Sequence, residues 1–285
     1  MLPLRTTAAA LAAAVAVLAP GCSSASPSGS AGTAAPAATA AAPGAQGATR
    51  APVLRPAPVA VLPHDPGAYT QGLVWWRGRL FESAGLYGRS DLREVQPRTG
   101  RVLRRRALPP RYFAEGLAAA DTRLIQLTWR EGTMFVWDRD TFRPRGRARY
   151  AGEGWGLATW GRRLLMSDGS SALRVLDART LREVAPRIPV RDAGAPVGRL
   201  NELEVVHGLV WANLYPTDRI AVIDLRTGRV RATLDMSGLR RRLPAGSSAE
   251  ALNGIAWDRA GDRVLVTGKW WPRMFALRVP PALRR

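Results

Sequence analysis

The chain has 285 residues, with 42 basic against 22 acidic side chains, a net charge of +20, two histidines and one cysteine, Cys22. A single cysteine excludes an internal disulfide, and two histidines exclude a three-histidine zinc site. The charge raises nucleic acid as a partner, but all the basic residues except Lys269 are arginine, scattered through turns and outer strands; that pattern reads as a solvated basic surface, and nucleic acid is not expected.

The chain opens on an export segment. Arg5 precedes an apolar run from Ala8 to Leu18 that is too short to span a bilayer as a helix. Leu18-Ala19-Pro20-Gly21-Cys22 then resembles a lipobox, with Pro20 as its departure. Residues 1–22 therefore read as a signal peptide, with Cys22 as the lipidated mature N-terminus, and the protein is expected at the outer face of the cytoplasmic membrane or in the periplasm. Residues 23–52 are nearly all Ala, Pro, Ser, Gly and Thr. Such a stretch has too little apolar bulk to offset the entropy of ordering, so it reads as a tether. Residues 53–285 are left for one large all-β domain.

That domain repeats itself. Gln71-Gly72-Leu73, Glu115-Gly116-Leu117, Trp155-Gly156-Leu157, Asn201-Glu202-Leu203 and Asn253-Gly254-Ile255 stack, their middle residues 44, 40, 46 and 52 positions apart. Each is followed by a short turn and a second β-rich run, such as Leu124 to Leu127 or Val264 to Thr267. In the middle repeats a third run ends in Asp, at Asp138, Asp177 and Asp224, and turn residues lead to a fourth strand. Four short strands per unit predict a five-bladed β-propeller. The last repeat is one strand short, and Pro58 to Leu62 is a spare early strand, so that strand is expected to complete the fifth blade. Trp75, Trp137, Trp160 and Trp257 are expected to pack between blades.

Equivalent positions in successive blades share a radius and a height. The residue before each Gly-Leu step should therefore ring the channel: Gln71, Glu115, Trp155, Asn201 and Asn253. The ends of the second strands give a neighbouring ring of Ser83, Trp129, Asp168, Asn213 and Lys269. Polar rings are common in propeller channels; indoles among them suggest an aromatic-walled pocket for a small ligand. His64, between two prolines, and His207, beside Gly208, read as structural loop and turn residues.

Several segments, taken in order, resemble the plant and bacterial glutaminyl-peptide cyclotransferases. They include Tyr69-Thr70-Gln71-Gly72-Leu73, Tyr112-Phe113-Ala114-Glu115-Gly116-Leu117, Leu127-Thr128-Trp129, Gly154-Trp155-Gly156-Leu157, Leu200-Asn201-Glu202-Leu203-Glu204, Leu252-Asn253-Gly254-Ile255 and Thr267-Gly268-Lys269-Trp270-Trp271-Pro272. The resemblance runs from about Val59 to Val279. It implies a five-bladed propeller with its active site in the channel, acting on peptides or exported proteins with an N-terminal glutamine. It places Glu115 as the acid–base group, Asn201 and Lys269 as oxyanion donors, and Gln71 as the group that orients the amine. Phe113, Trp129, Trp155 and Tyr215 would enclose the substrate. Tyr215 stands in Leu214-Tyr215-Pro216, where the family commonly has a tryptophan, so the wall changes shape there.

The chemistry requires no cofactor and no catalytic metal; a structural calcium-like ion is left open, and a monomer is expected. Two other readings remain at this point. One is a non-catalytic envelope propeller that binds ligands or proteins. The other is a calcium-dependent propeller lactonase, using Glu115, Asn201, Asn213, Asn253 and Asp168 as ligands.

Overall fold

A computed structural model describes residues 49–284. Cys22, the signal segment and most of the tether lie outside the described residues.

The described chain forms five antiparallel blades. The inner strands are Thr70–Trp76, Ala114–Ala120, Leu157–Trp160, Leu200–Val206 and Leu252–Asp258. Three further strands follow the first four inner strands outward in simple meander order. The fifth blade supplies only Arg263–Gly268 and Arg273–Arg278 after its inner strand, and Pro58–Pro63 completes it as the outer strand. That strand runs antiparallel to the last one, pairing Ala60 with Ala276 and Leu62 with Met274. The early strand thus closes the ring, as the spare strand in the sequence predicts.

One feature of the closure is additional. Val53–Leu54 adds a short parallel strand to the outer edge of the fourth blade, opposite Thr233 and Leu234. Ala51 N–H donates to Asp192 at 2.8 Å, and Arg55 pairs with Asp235 at 3.1 Å. The N-terminal segment therefore contacts two blades in succession.

The apolar residues separate into five clusters, one for each interface between neighbouring blades. Each blade buries both faces this way, which a lone four-stranded sheet cannot do. Trp137 lies inside the cluster between the first and second blades, and Trp75, Trp160 and Trp257 pack against three of the others. One run of arginines lies on an outer strand. Arg104, Arg105 and Arg106 lie on the outer strand Val102–Ala107, with Arg104 paired to Glu94 and Arg105 to Asp91.

Candidate active site

The inner strands share an irregularity at one level. The pairing register shifts between Thr70 and Gly72, Ala114 and Leu117, Leu200 and Leu203, and Leu252 and Ile255. A β-bulge re-aims the residue it contains, and these bulges contain Gln71, Glu115, Asn201 and Asn253. Trp155 comes just before the short third inner strand. The predicted ring is therefore real, and bulges build it.

One residue further along, the inner strands crowd together. A Cβ on Gly116 would sit 2.5 Å from the backbone nitrogen of Leu157, so glycine is required where neighbouring strands touch. Gly72, Gly156 and Gly254 occupy the same level, but the fourth blade has Glu202 there. Its carboxyl crosses the channel, accepts a hydrogen bond from Leu73 N–H at 3.2 Å and is bonded by the Ile255 backbone. Burial, reinforced by the neighbouring Glu204, holds Glu202 well above the usual carboxylate range. Beyond it, a cavity of about 1030 Å³ opens at the other end of the channel, lined by Leu73, Ala118, Leu157, Leu203, Glu204 and Trp257 among others.

On the ring side, three buried polar groups make no hydrogen bond to the protein. They are the Glu115 carboxyl, the Lys269 ammonium and the Asn201 side-chain amide, with residue exposures of 6%, 4% and 4%. Buried polar groups are normally satisfied; other polar residues of the two rings each make at least one side-chain bond, although Asn253 Oδ1 and Asn213 Nδ2 have no partner. Asn253 donates to Thr70 O at 3.1 Å and to Gln71 Oε1 at 3.2 Å. Asn213 accepts from Gly254 N–H at 3.2 Å, and Ser83 accepts from Gln126 at 2.8 Å. Gln71 is anchored through its oxygen, which leaves its amide nitrogen uncommitted.

The charges are tuned toward each other. Burial pushes the Glu115 carboxyl well above its ordinary range; the Lys269 charge opposes this, and the Glu153 and Glu131 charges add to it. Burial lowers the Lys269 ammonium, against the pull of Glu115 and Glu250. A carboxyl raised by burial, beside an ammonium whose proton affinity burial lowers, is suited to exchanging protons. Gly268 ends the strand just before the turn that carries Lys269, and a side chain there would run into the Trp271 indole nitrogen.

Aromatic rings wall the pocket. Lys269 Nζ lies 4.7 Å from the ring centre of Tyr69 and 4.8 Å from that of Tyr215, within cation–π range. Edge contacts link Trp270 to Tyr69, Tyr69 to Phe113, Phe113 to Trp129, and Trp155 to Tyr215. The predicted residues Gln71, Phe113, Glu115, Trp129, Trp155, Asn201, Tyr215 and Lys269 therefore lie around one mouth of the channel. Tyr69, Trp270, Glu131 and Glu153 belong there too, although sequence reasoning assigned them no role. Glu131 accepts from the Tyr87 hydroxyl at 2.8 Å and the Phe113 backbone at 3.3 Å.

Other candidates serve the scaffold. Asp168 pairs with Arg187 at 3.3 Å. His64 is buried, with Nε2 3.0 Å from Glu82 and Nδ1 2.6 Å from Trp271 O. His207 pairs with Asp262 at 2.7 Å beside the Trp257 ring. Among the described residues, no group of three or more His, Cys, Asp or Glu side chains is placed to hold a metal ion.

A five-bladed propeller with an acid, an amine and an amide in an aromatic pocket at one channel mouth defines a propeller enzyme built for acid–base work on a small group. A family model described as glutamine cyclotransferase matches residues 31–279, and the chain belongs to that family. A glutaminyl-peptide cyclotransferase of Arabidopsis thaliana is 40% identical over 228 residues, covering 79% of this chain and 71% of its own length. The crystal structure of Myxococcus xanthus glutaminyl cyclase superimposes with a TM-score of 0.74 at 35% identity, covering 81% of this chain and 97% of that one. Regucalcin of Agrobacterium tumefaciens, a calcium-binding protein, shares the fold at 14% identity and a TM-score of 0.51.

Proposed function

We infer that this chain is a glutaminyl-peptide cyclotransferase that works by general acid–base catalysis with its own side chains. The observation that carries this reading is the trio of buried, uncommitted groups, Glu115, Lys269 and Asn201, inside an aromatic pocket. Family membership supplies the reaction class.

The substrate brings its own nucleophile and electrophile, so proximity is largely built in. The α-amine of an N-terminal glutamine attacks its γ-amide carbon, forming the ring C–N bond. Glu115 takes the proton that the amine sheds and returns it to the γ-amide nitrogen, which leaves as ammonia when its C–N bond breaks. Lys269 and the Asn201 amide donate to the oxygen that becomes negative in between. The free nitrogen of Gln71 meets the substrate's polar end, and Phe113, Trp129, Trp155 and Tyr215 exclude water from it.

The natural substrates are peptides or exported proteins with an N-terminal glutamine. The membrane is reached through lipid on Cys22, which holds a monomeric enzyme at the outer face of the cytoplasmic membrane or in the periplasm. A calcium-like ion, if bound, has a structural role only. The direct test is ammonia release from glutamine-led peptides, with and without chelator. Release that survives chelation is expected. No release would remove the reading, and release abolished by chelator would require a metal in the step. Cys22→Ser should move the protein from the membrane to the soluble exported fraction; a wild type already soluble there would refute the anchor.

A further inference from the structure

The aromatic contacts round the pocket break off between Trp129 and Trp155. Trp129 closes the second strand of the second blade, and Trp155 enters the third blade. Phe113 braces Trp129 at 5.6 Å between ring centres, and Tyr215 braces Trp155 at 5.9 Å. A carboxylate spans the gap between the two indoles. Trp129 Nε1 donates to Glu153 Oε2 at 2.8 Å, and Trp155 Nε1 donates to the same oxygen at 2.9 Å. Arg130 holds the other oxygen at 3.1 Å while its guanidinium lies 3.7 Å over the Trp129 ring.

We propose that Glu153 is a positioning residue for substrate binding, fixing both indole walls of the pocket through one carboxylate oxygen. An indole has one polar atom, so a hydrogen bond at that atom sets the rotation of the whole ring plane. Two such bonds to one oxygen lock the rings relative to each other and fix the width of the slot between them. Bonds to an ionised acceptor are the strong kind. Burial would raise the Glu153 carboxyl, but the two indole N–H groups and Arg130 outweigh it and hold the group below its usual range. Glu153 is itself half open, so its role is not that of a core residue. It is also within electrostatic reach of Glu115 and adds to the upward push on that carboxyl.

The proposal rests on the cyclotransferase reading, and its test separates the two. Kinetics on a glutamine-led peptide would compare wild type with Glu153→Ala and Glu153→Gln. The same Glu153→Ala change would be made in a Trp129→Phe, Trp155→Phe background. Near-ultraviolet circular dichroism would report indole packing in every variant. Glu153→Ala should raise KM about tenfold or more, lower kcat much less, and weaken the indole bands. Glu153→Gln, which keeps an acceptor oxygen, should recover part of the KM. In the phenylalanine background, which has no indole N–H to hold, Glu153→Ala should change KM less than about twofold. A KM for Glu153→Ala within about twofold of wild type would overturn the proposal. So would the same tenfold loss in the phenylalanine background, since the carboxylate would then be acting by charge alone. If wild type releases no ammonia, the cyclotransferase reading fails. The indole bands of Glu153→Ala and Glu153→Gln then decide the positioning role: weakened bands support it, and unchanged bands overturn it.

Discussion

The Lys269 ammonium lies 4.8 Å from the ring centre of Tyr215 and makes no hydrogen bond to the protein. It is buried, and burial depresses its affinity for a proton. A second ring, Tyr69, faces it at 4.7 Å. The charge is thus stabilised by diffuse ring electrons, and its three N–H donors stay available for an incoming oxygen. A guanidinium is broad and planar and would stack on one ring with its donors fixed in a fork. Lys269→Arg should therefore lose most of its turnover with little change in Tm. Lys269→Met should lose at least as much, and kcat should fall further than binding in both. Near wild-type turnover by the arginine variant would show that positive charge alone suffices.

Glu115→Gln keeps the shape of the side chain and removes its ability to carry a proton. Losing general acid–base catalysis costs about two to four orders of magnitude in rate. KM should stay close to that of wild type. The glutamine variant should also be no less stable at alkaline pH, because burial raises the Glu115 carboxyl and ionising it inside the fold is costly. Turnover within a factor of a few of wild type would exclude Glu115 from the proton path.

Much of this site can be read from the sequence because the propeller repeats. Stacking the Gly-Leu steps puts Gln71, Glu115, Trp155, Asn201 and Asn253 on one ring. The solitary lysine marks Lys269. What repetition cannot show is which ring members are spoken for. Asn253 and Asn213 hold neighbouring blades together, whereas the Asn201 side chain makes no hydrogen bond, and only side-chain positions separate the two cases. Asp168 shares a repeat position with Lys269 yet pairs with Arg187, because strand-end register does not fix where a loop side chain turns. Glu131 and Glu153 were missed for another reason. Glu131 lies in the turn between the second and third strands of the second blade and Glu153 in the loop between the second and third blades, where no periodicity applies, although Glu153 stands directly before Gly154-Trp155. Val53–Leu54 was also invisible, since two residues carry no alternation signal.

Closure by Pro58–Pro63 gives a graded truncation series. A chain starting at residue 57 loses Val53–Leu54, the Ala51 bond to Asp192 and the exposed Arg55–Asp235 pair. These are edge contacts, and such a chain should fold with a modestly lower Tm. A chain starting at residue 64 leaves the whole of Arg273–Arg278 unpaired on one side and opens the seam between first and last strands. It should fail to fold or aggregate through that edge. Equal thermal stability of the two chains would show that the early strand does not close the ring.

Glu204 offers a test of the channel's other end, away from the chemistry. Its carboxyl lines the large cavity and accepts from Val205 N–H at 2.7 Å and Trp257 N–H at 3.3 Å. Burial pushes it up to about 7 from a usual value of 4.5, against those two bonds and Arg259. Between these values the folded state holds a proton that the unfolded chain has released. Stability therefore falls as pH rises from about 4.5 to about 7 and levels off above that. Glu202 and Glu115 are raised as well, so their contributions have the same sign. His64 is also raised, and its contribution is lost as pH climbs through its folded value. Wild type should thus lose Tm between pH 5 and pH 8. Glu204→Gln removes one ionising group; its single oxygen can keep only one of the two bonds, which Val205 and Trp257 make to different oxygens, so its Tm starts lower and the slope with pH is what is compared. Its Tm should fall less over that interval, with ammonia release unaffected because Glu202 and the glycine level separate Glu204 from the pocket. Calorimetry at pH 5, 6, 7 and 8 reads the difference directly. Parallel Tm curves for the two proteins would mean that Glu204 ionises in the folded state as freely as in the unfolded chain.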